Sequence, residues 1–259
     1  MTVASARSND EPTRDSGEQR RASLRDLAAA YPWLPPVAGL LLVALGLWMF
    51  GELAEQVHEG GPLLGLDRRL LELVAAIRTH ALVTTFGVLT WIGDDLVLTG
   101  VSVVAAVYLR VRTRSWVPAL LLAVTGVIDA LAVFLIKLLV ARPRPAPAPL
   151  ATPEDGFGFP SGHSSHSAAV YLVLVFLLLR VLSSRASRAA TVTTALLLVT
   201  VVGLSRVILG VHAPSDVVAG WILGVVCAVG AVSLWSLSYP LQHLVDHLVA
   251  RAHRRKPPE

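Results

Sequence analysis

Cysteine is almost missing from these 259 residues. Cys227 stands alone inside an apolar run, so an internal disulfide and C-x-x-C metal chemistry are both excluded. It reads as a small packing residue. Charge is also scarce: Asp, Glu, Lys and Arg make up 15% of the chain, whereas soluble domains carry about a quarter. Lysine occurs only at Lys137 and Lys256, so the net charge of +4 rests on arginine. Basic chains often bind nucleic acid, but these arginines flank apolar runs, and orientation in a membrane accounts for them better. Residues 1–30 lack the short apolar core of a cleavable signal peptide. Their mix of arginine, acid and serine predicts a disordered cytoplasmic tail. There is no internal repeat, and no biased tract beyond the proline-rich stretch 142–149.

What remains is apolar: 54% of the residues, with a mean hydropathy of +0.64. The apolar residues fall in long runs separated by short gaps, which predicts one all-α membrane domain over 31–240 and a basic cytoplasmic tail over 241–259. Six spans are expected: Val37–Phe50, Trp91–Leu109, Trp116–Val140, His163–Leu182, Ala189–Leu204 and Pro214–Tyr239. The first and fifth are short for a bilayer and must borrow flanking residues. Between Gly61 and His80, the residues Asp67, Arg68, Arg69, Glu72 and Arg78 alternate with Leu66, Leu70, Leu73, Val74 and Ile77. One apolar and one charged face follow, as in a helix lying on a membrane surface.

Short loops set the orientation. Arg110, Arg112 and Arg114 follow the second span, and Arg180, Arg185 and Arg188 follow the fourth. Arg251, Arg254, Arg255 and Lys256 follow the sixth. The positive-inside rule places these loops and both termini in the cytoplasm. Loops 51–90, 141–162 and 205–213 then face outward.

Two of the outward loops hold polar residues that a plain membrane bundle does not need. Lys137 ends the third span and is followed by Arg142, Pro143, Arg144 and Pro145. Pro160-Ser161-Gly162-His163 enters the fourth span. Ser205-Arg206 closes the fifth, and His212 and Asp216 open the sixth. Packing of spans three to six would bring Lys137, Arg144 and Arg206 to one anion. Arginine grips phosphate oxygens as a fork and lysine adds a point charge. Ser161 suits an N-cap, Gly162 lets a ligand approach the backbone, and a helix start attracts anions. One imidazole can then attack phosphorus while the other protonates the leaving alkoxide and later activates water. Asp216, four residues after His212, is placed to orient that ring.

These residues resemble the type 2 phosphatidic acid phosphatase superfamily, which also contains vanadium haloperoxidases. Its three blocks, K-x6-R-P, P-S-G-H and S-R-x5-H-x3-D, occur here in order. They are Lys137 to Arg144-Pro145, Pro160 to His163, and Ser205-Arg206 with His212 and Asp216. The resemblance implies a six-helix bundle of PAP2 type with an amphipathic surface helix. It implies His212 as nucleophile through a phosphohistidine, His163 as general acid then base, and Asp216 as orienter. Lys137, Arg144, Ser161, Gly162 and Arg206 would bind phosphate, with no metal or cofactor. The implied substrate is a membrane lipid phosphate: undecaprenyl diphosphate, phosphatidic acid or phosphatidylglycerol phosphate. Phosphoryl transfer to another lipid is the alternative that shares the site. A transporter would spread its charges along the midplane, whereas these gather at one end. A haloperoxidase would hold vanadate in the same pocket, and the membrane architecture argues against it.

Several other polar residues fall outside the blocks. Arg142 reads as a rim or loop residue and His166 as a packing or mouth residue. Asp94 and Asp95 read as interface markers, and Glu154 and Asp155 as solvated loop charges. Asp129, deep in the third span, calls for a hydrogen bond or a water-filled cavity. Oligomeric state is left open.

Overall fold

The computed structural model describes residues 31–146, 151 and 154–254, with side chains as far as Ser238. The tail expected over 1–30 and the terminal 255–259 lie outside the described residues, as does most of 147–153. Among the described residues every regular element is helical. The helices are α1 (Leu34–Glu59), α2 (Pro62–Ile77), α3 (His80–Leu89), a 3₁₀ turn (Thr90–Gly93), α4 (Asp95–Thr113), α5 (Val117–Val140), α6 (Gly162–Val181), α7 (Arg185–Ile208) and α8 (Pro214–Arg254). Six are long and apolar enough to cross a membrane: α1, α4, α5, α6, α7 and the Pro214–Ser238 part of α8.

Local chemistry sets the ends. Prolines open α1 and α5, where a missing N–H costs nothing. Gly60, at φ 76°, closes α1 in the left-handed region. Asp94, Ser161 and Ser184 cap α4, α6 and α7 by accepting from the N–H of Leu96, Ser164 and Ser187. The short spans expected at 37–50 and 189–204 are longer here, because each helix continues through its flanking polar residues. The amphipathic segment expected over 61–80 is α2, which stops at Ile77 and bends by 115° into the segment His80–Gly93. Its residues Leu66, Leu73 and Ile77 are exposed. Asp67, expected on the charged outer face, is instead buried.

Helices α6 and α8 form the centre of the bundle, and α1 packs along the other side of α8. The outward surfaces are apolar, with Leu41, Trp48, Val104, Leu139 and Leu197 exposed. A bilayer is the solvent in which that surface costs nothing. The α6–α8 contact is close because of glycine. A Cβ on Gly224 would sit 2.3 Å from the Ser165 carbonyl oxygen, and one on Gly220 2.6 Å from that of Ser161. Both obstacles are backbone and cannot swing away. Gly224→Ala is therefore expected to destabilise the bundle by about 1–3 kcal/mol through overpacking. A lowered unfolding midpoint in detergent would register it; an unchanged midpoint would show that α6 and α8 can separate freely.

Candidate active site

The C-termini of α5 and α7 and the N-termini of α6 and α8 meet at one end of the bundle. All eight residues expected in the site are brought to that end. Ser161 and Asp216 are tied through the backbone, since the Ser161 N–H donates to the Asp216 carbonyl at 2.9 Å. This bond locks the start of α6 to the first turn of α8. Gly162 opens α6 directly behind the Ser161 cap.

The three cations converge. Arg206 is 1% exposed and donates to Thr90 Oγ1 at 2.8 Å. Its other terminal nitrogen pairs with Glu154. Arg144 pairs with the other oxygen of the same carboxylate at 3.1 Å. Two guanidiniums from distant parts of the chain thus already share one anion. Glu154, expected to be a solvated loop charge, is that anion, because its loop folds back over the site. Burial alone would raise its carboxyl; Arg206, and then Arg144, outweigh burial and hold it below the ordinary range. Lys137 lies within electrostatic reach of both arginines, and its Nζ donates to the Phe157 carbonyl at 2.5 Å. The Nε groups of Arg144 and Arg206 are buried without a hydrogen-bond partner, two donors facing no acceptor.

The geometry of His212 fixes its tautomer. Its Nε2 is 2.8 Å from Arg144 Nη1. Arginine can only donate, so Nε2 must be the acceptor and the proton sits on Nδ1. Nδ1 faces Asp216 Oδ2 at 3.5 Å. The same oxygen accepts from the Ala213 N–H at 2.8 Å, reaching back over the helix start as in a capping box. Burial pushes the His212 imidazole down to about 4, with Asp216 pulling upward against it and Arg144 and Arg206 adding to burial. The ring is therefore neutral near pH 7, with its lone pair on Nε2. His163, one residue into α6, stands within electrostatic reach of Arg206, Glu154 and His212.

Asp129 is fully buried and accepts from Ser165 Oγ at 2.6 Å, the hydrogen bond its position called for. His166 bridges two carboxylates, with Nδ1 at 2.6 Å from Asp95 and Nε2 at 3.6 Å from Asp129. Asp94 is a helix cap. Arg142 lies in the loop after α5, as expected, but not at the rim, because it reaches inward to Asp67 and Asp216 at 2.8 and 2.6 Å. The K-x6-R-P spacing selected Arg144 and said nothing of a partner for Arg142.

Residues 115–239 match the PAP2 superfamily. The chain is 32% identical over 174 residues to phosphatidylglycerophosphatase B of Bacillus subtilis, covering 66% of this chain and 84% of that protein. The chain belongs to the PAP2 superfamily. It is also 35% identical over 135 residues to decaprenylphosphoryl-5-phosphoribose phosphatase of Mycobacterium tuberculosis, covering 51% of this chain and 66% of that one. The crystal structure of a transmembrane PAP2-type phosphatidylglycerolphosphate phosphatase from Bacillus subtilis superposes with a TM-score of 0.66. That match has 28% identity and covers 80% of this chain and 96% of the other. This PAP2 protein is a multi-pass membrane phosphatase with the expected all-α, six-helix architecture.

Proposed function

We propose that this PAP2 protein hydrolyses a lipid phosphate or diphosphate without a metal, through a phosphohistidine on His212, at the outer membrane face. One observation carries the reading: the Nε2 lone pair of a neutral, oriented His212 lies beside two guanidiniums that already share an anion. In the first step Nε2 attacks the terminal phosphorus, the bond to the leaving oxygen breaks, and His163 donates a proton to that oxygen as the lipid alkoxide or, from a diphosphate, the lipid phosphate departs. In the second, His163 takes a proton from water as the water oxygen displaces Nε2. Asp216 stabilises the charge that develops on the ring. Arg144, Arg206, Lys137 and the Ser161-Gly162 helix start hold the phosphate oxygens. Binding phosphate means displacing the Glu154 carboxylate from the arginines.

Lipid as substrate is supported by a cavity of about 530 Å³ that runs from Asp95 and His166 down between α4, α5 and α6, lined by Leu98, Val103, Leu122 and Val127. An acyl or prenyl chain fits that lining. The outer location is supported by the arginines of the turns after α4 and α6, which lie at the opposite end of the bundle from His212. The names of the relatives favour a phosphate monoester on a glycerolipid or a polyprenyl carrier. Among the candidates, undecaprenyl diphosphate suits an outward site. The test is phosphate release by purified protein in detergent with EDTA, comparing undecaprenyl diphosphate, phosphatidic acid and phosphatidylglycerol phosphate, with His212→Ala as the blank. EDTA-resistant release is expected from at least one lipid. Release that needs a divalent ion, or none from any lipid, would overturn the reading, and label moving to an added lipid alcohol instead of water would make the protein a transferase.

A further inference from the structure

Behind Asp216 lies a second set of charges that the phosphate chemistry does not touch. Asp67, from α2, is 3% exposed, and Ser215 and Asp216, from the first turn of α8, are 4% and 0% exposed. Asp67 accepts from the Ser215 N–H at 2.9 Å, from Ser215 Oγ at 2.5 Å and from Arg142 at 2.8 Å. Arg142 in turn donates to Ser215 Oγ at 2.7 Å and to Asp216 Oδ1 at 2.6 Å. The backbone of Arg142 is pinned as well, because its carbonyl accepts from the Gly158 N–H at 2.7 Å. Three segments far apart in sequence therefore meet around the Arg142 guanidinium.

A buried ion pair is a poor way to gain stability, since desolvation offsets most of the attraction. What this arrangement does supply is orientation. Asp216 needs one oxygen on the Nδ1 side of His212 and at the Ala213 N–H. A carboxylate with its other oxygen free can turn about χ2, and a carboxylate with Oδ1 bonded to a fixed guanidinium cannot. We propose that Asp67 and Arg142 are positioning residues for the reaction: Asp67 holds Arg142, and Arg142 holds Asp216 in the orientation that serves His212. The inference rests on His212 as nucleophile, and it makes helix α2 part of the catalytic apparatus.

The proposal has an electrostatic signature. Besides Asp216, the charged groups around His212 are Arg144, Arg206, Lys137, Glu154 and His163, all of which the variants below leave in place. Whereas Arg142→Lys keeps the charge and changes only how firmly Oδ1 is held, Arg142→Gln also removes a positive charge from the far side of Asp216, which by itself favours the cationic ring. Asp67→Asn removes a negative charge and acts in the opposite sense. The experiment measures kcat and KM against pH on dioctanoyl phosphatidic acid, using full-length protein in detergent. In parallel, the His212 ring is titrated by NMR in histidine-labelled protein, with His212→Ala for assignment.

Arg142→Gln is expected to lower kcat about 10- to 100-fold with KM little changed. In its acid limb and ring titration the lost charge, which acts upward, opposes the freed carboxylate, which acts downward, so Arg142→Lys carries the sign. Arg142→Lys keeps the charge but has no planar fork to fix Asp67 and Oδ1 of Asp216 together, so kcat falls and, as Asp216 turns away from Nδ1, the acid limb and ring titration move down. Asp67→Asn is isosteric and carries the test if Arg142→Gln fails to fold; kcat should fall and the titration move down or hold. A rise in KM alone, or equal losses with an unmoved titration in every variant, would overturn the proposal. If the wild type releases no phosphate but the Arg142→Lys ring titrates lower, the positioning stands and the lipid phosphatase reading fails. If the wild type is active and the ring does not respond, the reverse holds.

Discussion

His212→Ala is expected to show no turnover and no phosphoenzyme, while His163→Ala is expected to form the phosphoenzyme and stall. The two histidines occupy different places, which is why their losses should differ in kind. His212 is buried and carries its lone pair on Nε2, 2.8 Å from Arg144. Without it no atom remains to attack phosphorus, and binding alone gives no product. In the proposed mechanism His163 acts on protons, a contribution worth about 10²–10⁴-fold. Its first task disappears when the leaving group needs no proton. With p-nitrophenyl phosphate, His163→Ala should release one equivalent of nitrophenolate per site in a burst. The second task cannot be bypassed, because water still requires a base. Acid-labile, base-stable label from ³²P substrate should then accumulate on His163→Ala and be absent from His212→Ala. A burst in His212→Ala, or label there, would place the nucleophile elsewhere. Steady turnover of His163→Ala at the wild-type rate would remove the base.

The gathering of the candidate site at one end was legible because it is written in residue types that a membrane bundle otherwise avoids. Lys137, Arg144, Arg206 and the two histidines sit at the ends of apolar runs, and the topology of α5 to α8 takes those ends to one place. The starts of α5 and α6 were legible as well, since Trp116-Val117-Pro118 and Ser161-Gly162 mark them locally. The starts of α4 and α7 were not. A hydropathy window stops at charge, but a helix does not: α7 continues through Arg185, Arg188 and Arg206 with its ladder intact. The roles of Asp67, Arg142 and Glu154 were hidden for a different reason. An amphipathic pattern says that Asp67 lies on the polar face of α2 and is silent on whether that face meets water or the first turn of α8. Glu154 and Arg142 stand in loops, where a charge acquires a partner only once the chain has folded.

Arg206→Ala should cost about 10²–10³-fold in kcat/KM, on the scale of one lost oxyanion donor, and should destabilise the fold as well. Both effects come from burial. The side chain is among the largest fully buried in the protein, so truncation leaves a cavity. It also frees Thr90 Oγ1 and leaves Glu154 with Arg144 as its guanidinium partner. Arg206→Lys separates the two effects. Lysine restores much of the volume and the charge, so the unfolding midpoint in detergent should recover most of the way. It presents no planar fork, and one ammonium cannot bond Thr90 and grip two phosphate oxygens at once. Most of the loss in kcat/KM should therefore remain in Arg206→Lys. Its inhibition constant for orthovanadate, a phosphate analogue, should also stay weak. Full recovery of activity in Arg206→Lys would mean that charge alone is required at this position. Loss of stability without loss of activity in Arg206→Ala would take Arg206 out of the phosphate site and leave it as the strut that joins α7 to the 3₁₀ turn.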